Sequence, residues 1–175
     1  PERTQADGTI TRTVDADGVR AAVASCDPTS FDAWAICFLH AYANPANEQA
    51  AKEILAELVG DTPISTSSAV APEYREYERF STTVLNAYLR PVMETYLRTL
   101  SSILQDPEKG LGMGEDRPVM VMDAAGGLMS LDSAREKPVH TVLSGPAGGV
   151  VAAAHVAGEA GLPDIITMDI GGTST

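Results

Sequence analysis

The stretch Ile165-Ile166-Thr167-Met168-Asp169-Ile170-Gly171-Gly172-Thr173-Ser174-Thr175 decides how this chain is read. Two adjacent isoleucines and a methionine suit a buried strand over Ile165–Asp169, which delivers an aspartate and then a glycine pair followed by three hydroxyls. Glycines let the backbone turn sharply and bring successive N–H groups against phosphate oxygens. Hydroxyls add further donors, and an aspartate at the carboxyl end of a strand sits where α/β sheets place ligands. Such an aspartate can hold magnesium or orient a water. The pattern is neither a Walker loop nor the GxGxxG of dinucleotide binding.

Outward from that segment, two more glycine pairs follow extended runs. Val119–Met122 leads into Gly126-Gly127, which either approaches a nucleotide closely or turns the chain. Leu143-Ser144-Gly145-Pro146-Ala147-Gly148-Gly149-Val150 opens a helix of small residues. There Ser144 or Gly145 can cap and Pro146 pre-sets the first turn, so the amides at this end can bind an anion. The alternative is close packing, with Gly148, Gly149 and Ala152–Ala154 letting another backbone approach.

The remaining chain alternates strand and helix signals. Asp7-Gly8 between Pro1–Arg3 and Thr9–Val14 predicts a hairpin. Asp17 suits the cap of a helix to Ser25, with Val19, Ala22 and Val23 inward. Ala33–Leu39 reads as a strand buried on both faces, carrying Cys37 as a small buried hydrophobe. Asn44-Pro45 starts a helix whose Ala51, Ile54, Leu55 and Leu58 share a face and which Gly60 ends. Pro63–Val70 is a further strand. The longest helix has a stripe of Leu85, Tyr88, Leu89, Val92, Tyr96, Leu100 and Ile103, read as core, with Pro91 as a kink or restart. Alternation of this kind predicts an α/β fold with a mixed, largely parallel sheet and flanking helices. Residues 106–116, polar and glycine-containing, mark the boundary.

Composition narrows the function. The chain has 175 residues, 44% of them apolar, and a net charge of -12. That length allows a substantial core. That charge opposes nucleic-acid binding, which needs Lys and Arg against phosphates. No run is long enough to span a bilayer, and no secretory leader opens the chain, so no membrane role is expected. Two cysteines, Cys26 and Cys37, are too few for a disulfide framework, which points to a reducing cytoplasm. His40 closes the apolar run at the ligand-bearing edge, either as a hydrogen-bonded structural residue or as a base or ligand. His140 and His155 have no metal-ligand spacing. Arg75, Glu76, Glu78 and Arg79 form a cluster before the longest helix, read as helix-entry salt bridging or as an arginine meeting a carboxylate or phosphate. Ser144 lacks the GxSxG elbow of a nucleophile.

The order of blocks is more specific than any one of them. Phe38–Pro45 with Glu48, Arg75–Arg79, Ser81–Leu89 with Pro91-Val92, Gly126–Ser130, Ser144–Val150 and Asp169–Thr175 succeed one another along nearly the whole chain. The last block resembles the phosphate loop of the actin/sugar-kinase/Hsp70 ATPase superfamily. The whole series resembles the hydantoinase A/5-oxoprolinase family, with its acetone and acetophenone carboxylase relatives. Departures are Asn47 where the family often has His, and Ala124-Ala125 where it often has Ser-Asn.

The resemblance implies an internal fragment of a longer protein, with a partial actin/sugar-kinase/Hsp70-like ATPase fold cut within its phosphate loop. Residues 1–110 correspond to the C-terminal half of the family's N-terminal domain and 111–175 to the start of its hydantoinase A domain. It implies ATP and Mg2+ as cofactors, a small cyclic amide as substrate and a hydantoinase B-type partner subunit or domain. The implied activity is ATP-dependent hydrolysis of a cyclic amide. The alternatives are the nucleotide-binding subunit of an acetone/acetophenone-type carboxylase and a non-catalytic assembly module. The cofactor-binding candidates are Gly126, Gly127, Ser144, Gly145, Gly148, Gly149, Asp169, Gly171, Gly172, Thr173, Ser174 and Thr175, with Asp169 also the metal candidate. The catalytic residues are expected outside this chain. A final strand without its own domain would expose Ile165, Ile166 and Met168, and is expected to be mobile, rearranged or buried against a second copy.

Overall fold

The computed structural model describes residues 1–106, 108 and 118–170. The chain divides into two compact units, residues 1–96 and 97–175.

The first unit opens with an antiparallel hairpin of β1 (Arg3–Thr4) and β2 (Ile10–Arg12). Asp7-Gly8 forms its turn as predicted: Asp7 Oδ1 accepts the Thr9 N–H at 2.9 Å, and Gly8 has φ +85°. Next comes α1 (Ala16–Ala24), whose cap position is Asp15, with Asp17 inside the first turn. β3 (Trp34–Ile36) pairs in parallel with β4 (Ile64–Thr66), in register Trp34↔Ile64 through Ile36↔Thr66. Between them α2 (Ala46–Val59) makes the crossover that a parallel pair requires. Asn44 caps it by accepting the Ala46 N–H at 3.1 Å. Val23, Ile36, Ala51, Leu55 and Ile64 form the core, with Val14, Val19, Trp34, Phe38 and Val59 around it. β4 runs directly into a single turn, α3 (Ser67–Val70), so the predicted strand Pro63–Val70 is half helix. α4 (Glu76–Gln105) follows, unbroken at Pro91.

The second unit holds an antiparallel hairpin of β5 (Met120–Met122) and β6 (Leu128–Ser130), then α5 (Leu131–Glu136) and α6 (Ser144–Glu159). Ser130 caps α5 by accepting the Ser133 N–H at 3.1 Å. A 3-10 turn, Pro138–Thr141, joins the two helices.

The fold is thus a mixture of helix and sheet, as expected, but a largely parallel sheet is not seen. Among the described residues only β3–β4 is parallel, in three separate two-stranded sheets. Nor is β3 covered on both faces, since Ala35 is exposed beside buried Ile36. The predicted strand Ile165–Asp169 is not formed: this stretch has no ladder partner, and Ile166 and Met168 are 98% and 78% exposed. A strand's backbone groups need a neighbour to pair with, and apolar composition does not supply one.

The predicted apolar stripe of α4 also faces the wrong way for a core. Tyr88, Val92 and Tyr96 are 77%, 69% and 58% exposed. The buried side of the helix presents Arg79, Thr83, Asn86 and Ala87 instead. Asn86 Nδ2 donates to Ser65 Oγ at 3.0 Å and Arg90 Nη1 donates to the Ile64 carbonyl at 2.7 Å. Polar bonds to β4 hold this side of α4, alongside the burial of Ala87 and Leu97.

Candidate functional site

Where β3 and β4 end, their chain continuations and the start of α4 converge on a buried polar network. Glu48, from α2, is fully buried. Its Oε1 accepts the Phe38 N–H at 2.8 Å and the Ser67 hydroxyl, and its Oε2 accepts the Ser68 N–H at 2.8 Å. One carboxylate therefore ties together the segments that leave both parallel strands. Arg79 lies on the other side of Ser67 and donates from Nε to Ser67 Oγ at 3.1 Å. Its remaining nitrogens donate to the Glu73 carbonyl at 3.0 Å, the Phe38 carbonyl at 2.9 Å and Glu76 Oε1 at 3.4 Å. The guanidinium also stands over the rings of Tyr42 and Phe80, at 5.3 and 5.2 Å. Of the two readings of the Arg75–Arg79 cluster, Arg79 follows the structural one. A buried charge is tolerated because every side of it is hydrogen-bonded or stacked.

Cys37 borders this network. Burial, and secondarily the Glu48 carboxylate, push its thiol up to about 11, partly offset by a hydrogen bond with Thr83 and the charge of Arg79. The thiolate is the nucleophile, so at pH 8 Cys37 in the folded chain is expected to alkylate about 100-fold more slowly than in the unfolded chain. Timed iodoacetamide labelling with and without urea, read by peptide mass, checks this. The raised value also sets a sign for stability. The contribution is fully present below the unfolded thiol's 9.0 and is lost as pH rises through about 11.

At the rim of the network stands His40, whose backbone N–H donates to Glu76 Oε1 at 3.3 Å. Burial pushes the Glu76 carboxyl up, but the His40 N–H and the charge and hydrogen bond of Arg79 more than reverse this, leaving it below the ordinary glutamate range. His40 and Arg75 both have positive φ, +57° and +94°. Such backbone strain in non-glycine residues clusters at functional sites.

In the second unit the structure brings some of the predicted nucleotide-site residues together. Gly126 occupies the β5–β6 turn with φ +87°, and a Cβ there would meet Val151 Cγ2 of α6 at 2.7 Å. This glycine is required both by the turn and by the close approach of α6. Gly127 accepts the Asp123 N–H through its carbonyl at 2.9 Å, and Ala124 and Ala125 are exposed in the turn. Gly148 faces Met122 of β5 at ordinary contact distance, whereas Gly145 and Gly149 have open space where a Cβ would stand. The close packing expected of this glycine run is thus confined to Gly148 among the described residues. α6 starts at Ser144 behind Leu143, which takes the left-handed conformation at φ 62° and offers no side-chain cap. Neither Ser144 nor Gly145 caps the helix as expected, because the left-handed turn at Leu143 already places both within it. Asp169 and Gly149 line one cleft of about 610 Å³ between α6 and residues 165–169. The expected phosphate-loop residues Gly171, Gly172, Thr173, Ser174 and Thr175 lie outside the described residues. Among the described residues no group of three or more His, Cys, Asp and Glu gathers for a metal.

Comparison with known proteins places this geometry. The hydantoinase/oxoprolinase profile matches residues 79–175, more than half of the chain. The chain belongs to the hydantoinase/oxoprolinase family. The profile of that family's N-terminal region matches residues 1–59 as well. Caprolactamase subunit alpha of Pseudomonas jessenii is 33% identical over 168 residues, covering 96% of this chain and 23% of its own length. The 5-oxoprolinase of Saccharomyces cerevisiae is 36% identical over 143 residues, covering 81% of this chain and 10% of its own. The crystal structure of ATP-dependent caprolactamase from Pseudomonas jessenii superposes with a TM-score of 0.82 at 33% identity, over 98% of this chain and 24% of that one. The nucleotide-free structure of acetone carboxylase gives 0.73 at 28% identity, over 91% and 22%. The chain spans about a quarter of the length of the first curated relatives it matches.

The residues that reading the sequence missed are those of the buried network. Ser67 and Asn86 gave no signal, and Glu48 was noticed only as part of a family block. Asn47 and Glu48, side by side on the helix face shared with Ala51 and Leu55, were the available clue.

Proposed function

We propose that this chain is part of an ATP-dependent cyclic amide hydrolase that activates the ring amide by phosphorylation. The observation that carries this is the likeness to ATP-dependent caprolactamase across 98% of the chain at a TM-score of 0.82. In this reading residues 111–175 begin an actin/sugar-kinase/Hsp70-like nucleotide domain. Residues 1–110 close the preceding domain, with a hydantoinase B-type subunit or domain as partner. Cys26 and Cys37 are free thiols, and no helix among the described residues is long and apolar enough to cross a membrane.

The residues present fit a magnesium-bound nucleotide. Magnesium takes one or two carboxylates and fills its remaining positions with water and phosphate oxygens, so Asp169, exposed, suffices as its protein ligand here. Gly126 and Gly127 serve the β5–β6 turn, with Val151 against Gly126, while the open space at Gly145 and Gly149 leaves the start of α6 accessible. The amides after Ser144 add the positive end of a helix. Gly171, Gly172, Thr173, Ser174 and Thr175 supply further amides and hydroxyls for phosphate. When bound, ATP would supply the phosphoryl group that, carried on the amide oxygen, makes the ring carbonyl carbon a better electrophile for water. The chain's own work is to orient that group and neutralise its charge.

The likeness to acetone carboxylase keeps a ketone carboxylase as the second reading. Nucleotide turnover by the full-length protein with its co-purifying partner separates them. Hydantoin, 5-oxoproline or caprolactam should stimulate turnover and appear ring-opened. Stimulation only by a ketone with bicarbonate would move the chain to the carboxylase branch. Turnover with neither, together with no magnesium-dependent ATP binding, would leave an assembly module.

A further inference from the structure

The apolar stripe that α4 turns away from the core of the first unit is long and uncharged. Tyr77, Val84 and Leu85 are 82%, 55% and 54% exposed, and Tyr88, Val92 and Tyr96 continue the same face. At about 100° per residue these side chains fall within about a third of the helix circumference. The charged residues between Phe80 and Tyr96 are Arg90 and Glu94. Both fall on the far side by the same spacing, and Arg90 is engaged there with the Ile64 carbonyl of β4. An exposed apolar patch of more than a few hundred Å² marks an interaction site. At about 200 Å² per tyrosine, the exposed parts of Tyr77, Tyr88 and Tyr96 alone offer about 400 Å². Val84, Leu85 and Val92 bring the strip toward the ~800 Å² that each partner contributes to a standard interface.

The spacing of the strip bears on what covers it. In a two-fold contact between copies, a residue a given distance before the axis meets the residue the same distance after it. Matching residues must therefore stand symmetrically about one position. Tyr88 is such a centre. Three residues away stand Leu85 and Pro91, four away Val84 and Val92, and seven away Ser81 and Thr95. Two α4 helices crossed antiparallel at Tyr88 would set Leu85 against Pro91, valine against valine and hydroxyl against hydroxyl. The two Tyr88 rings would meet at the axis, and no charge would have to be desolvated. Intervals of three and four residues are also those that let two helices pack along a seam at a shallow angle. We propose that this face of α4 is an interface between two copies of the chain, paired antiparallel about Tyr88. A covering segment of different sequence would need no such symmetry about one residue. The strip lies wholly within the first unit, and the pairing is independent of the nucleotide reading.

The test uses the full-length protein with its co-purifying partner. Ser81→Cys and Thr95→Cys combined in one chain should cross-link two copies under mild oxidation, because each cysteine would meet the other kind across the axis. Along their own helix the two positions are about 21 Å apart, beyond the reach of a disulfide within one chain. Either substitution alone should give no more dimer than the unsubstituted protein, which already carries Cys26 and Cys37. Tyr88→Arg sets two like charges at the axis. It should weaken self-association by about 30-fold or more in sedimentation, with Tm unchanged because the side chain it replaces is exposed. No cross-linked dimer from the double-cysteine chain overturns the pairing, and so does equal cross-linking by either single variant. Loss of the partner subunit from Tyr88→Arg while two copies stay together would assign the strip to that subunit. A fall in Tm for Tyr88→Arg, with the double-cysteine chain uncross-linked, would assign it to another part of the same longer chain. Both of those results also overturn the pairing between copies.

Discussion

Replacing Glu48 by alanine is expected to destabilise the first unit by about 3–5 kcal/mol. The effect is large because the carboxylate is fully buried and is a shared acceptor rather than one half of a simple pair. Its loss strips partners from the N–H groups of Phe38 and Ser68 and from the Ser67 hydroxyl. Each buried donor left unsatisfied costs about 1–3 kcal/mol. It also leaves Arg79, whose side chain is 0% exposed, without the carboxylate that reaches it through Ser67. Glu48→Gln is the discriminating partner. Glutamine keeps one carbonyl acceptor but places an NH2 where a second acceptor is needed, so it should recover only part of the loss. Urea unfolding followed through Trp34, the single tryptophan, measures both variants. Equal, small losses for the two would show that the network is not what joins the ends of β3 and β4.

How much of this was legible in the sequence depends on which interaction decides each element. Local chemistry was readable. Asp7-Gly8 turned the first hairpin, Asn44 capped α2, and Gly126-Gly127 turned the second hairpin, because those conformations are set by the residues themselves. Of the face Ala51, Ile54, Leu55 and Leu58 read from the period of α2, Ala51 and Leu55 lie in the core and Ile54 is partly buried, while Leu58 is 40% exposed. Failures came where tertiary partners decide. The period of α4 located an apolar face correctly, yet the helix buries Arg79, Thr83 and Asn86, the last bonded to Ser65 of β4, and a period carries no information about which side faces inward. Ile165–Asp169 has strand composition but no neighbour to pair with. The candidate site divides along the same line. Gly126 was legible from its turn, and the start of α6 was legible although neither expected cap residue caps it, whereas the approach of Val151 to Gly126 and the meeting of Glu76 with His40 depend on segments 25 and 36 residues apart, which spacing cannot reveal.

Asp169→Asn in the full-length protein is expected to lower magnesium-dependent ATP turnover by about 100-fold or more while leaving Tm unchanged. The two halves of this expectation have separate causes. Asp169 is exposed and lies in a stretch with no ladder bonds, so removing its charge takes nothing from the fold. Its proposed work is electrostatic: a carboxylate beside the glycine–hydroxyl loop holds a cation whose charge grows in importance as the phosphoryl group leaves. Asparagine keeps the shape and one oxygen but not the charge, so the loss should fall on kcat and on the apparent affinity for magnesium, with smaller effect on nucleotide binding in excess metal. Raising magnesium should then restore part of the rate. A variant with normal turnover and normal magnesium dependence would remove Asp169 from the site, and the cation would have to be held by a carboxylate elsewhere in the longer protein. A loss accompanied by a fall in Tm would assign Asp169 a structural bond in the complete enzyme instead, formed with chain outside these residues. The three results differ in which of kcat, metal dependence and Tm moves, so one set of titrations on one variant distinguishes them.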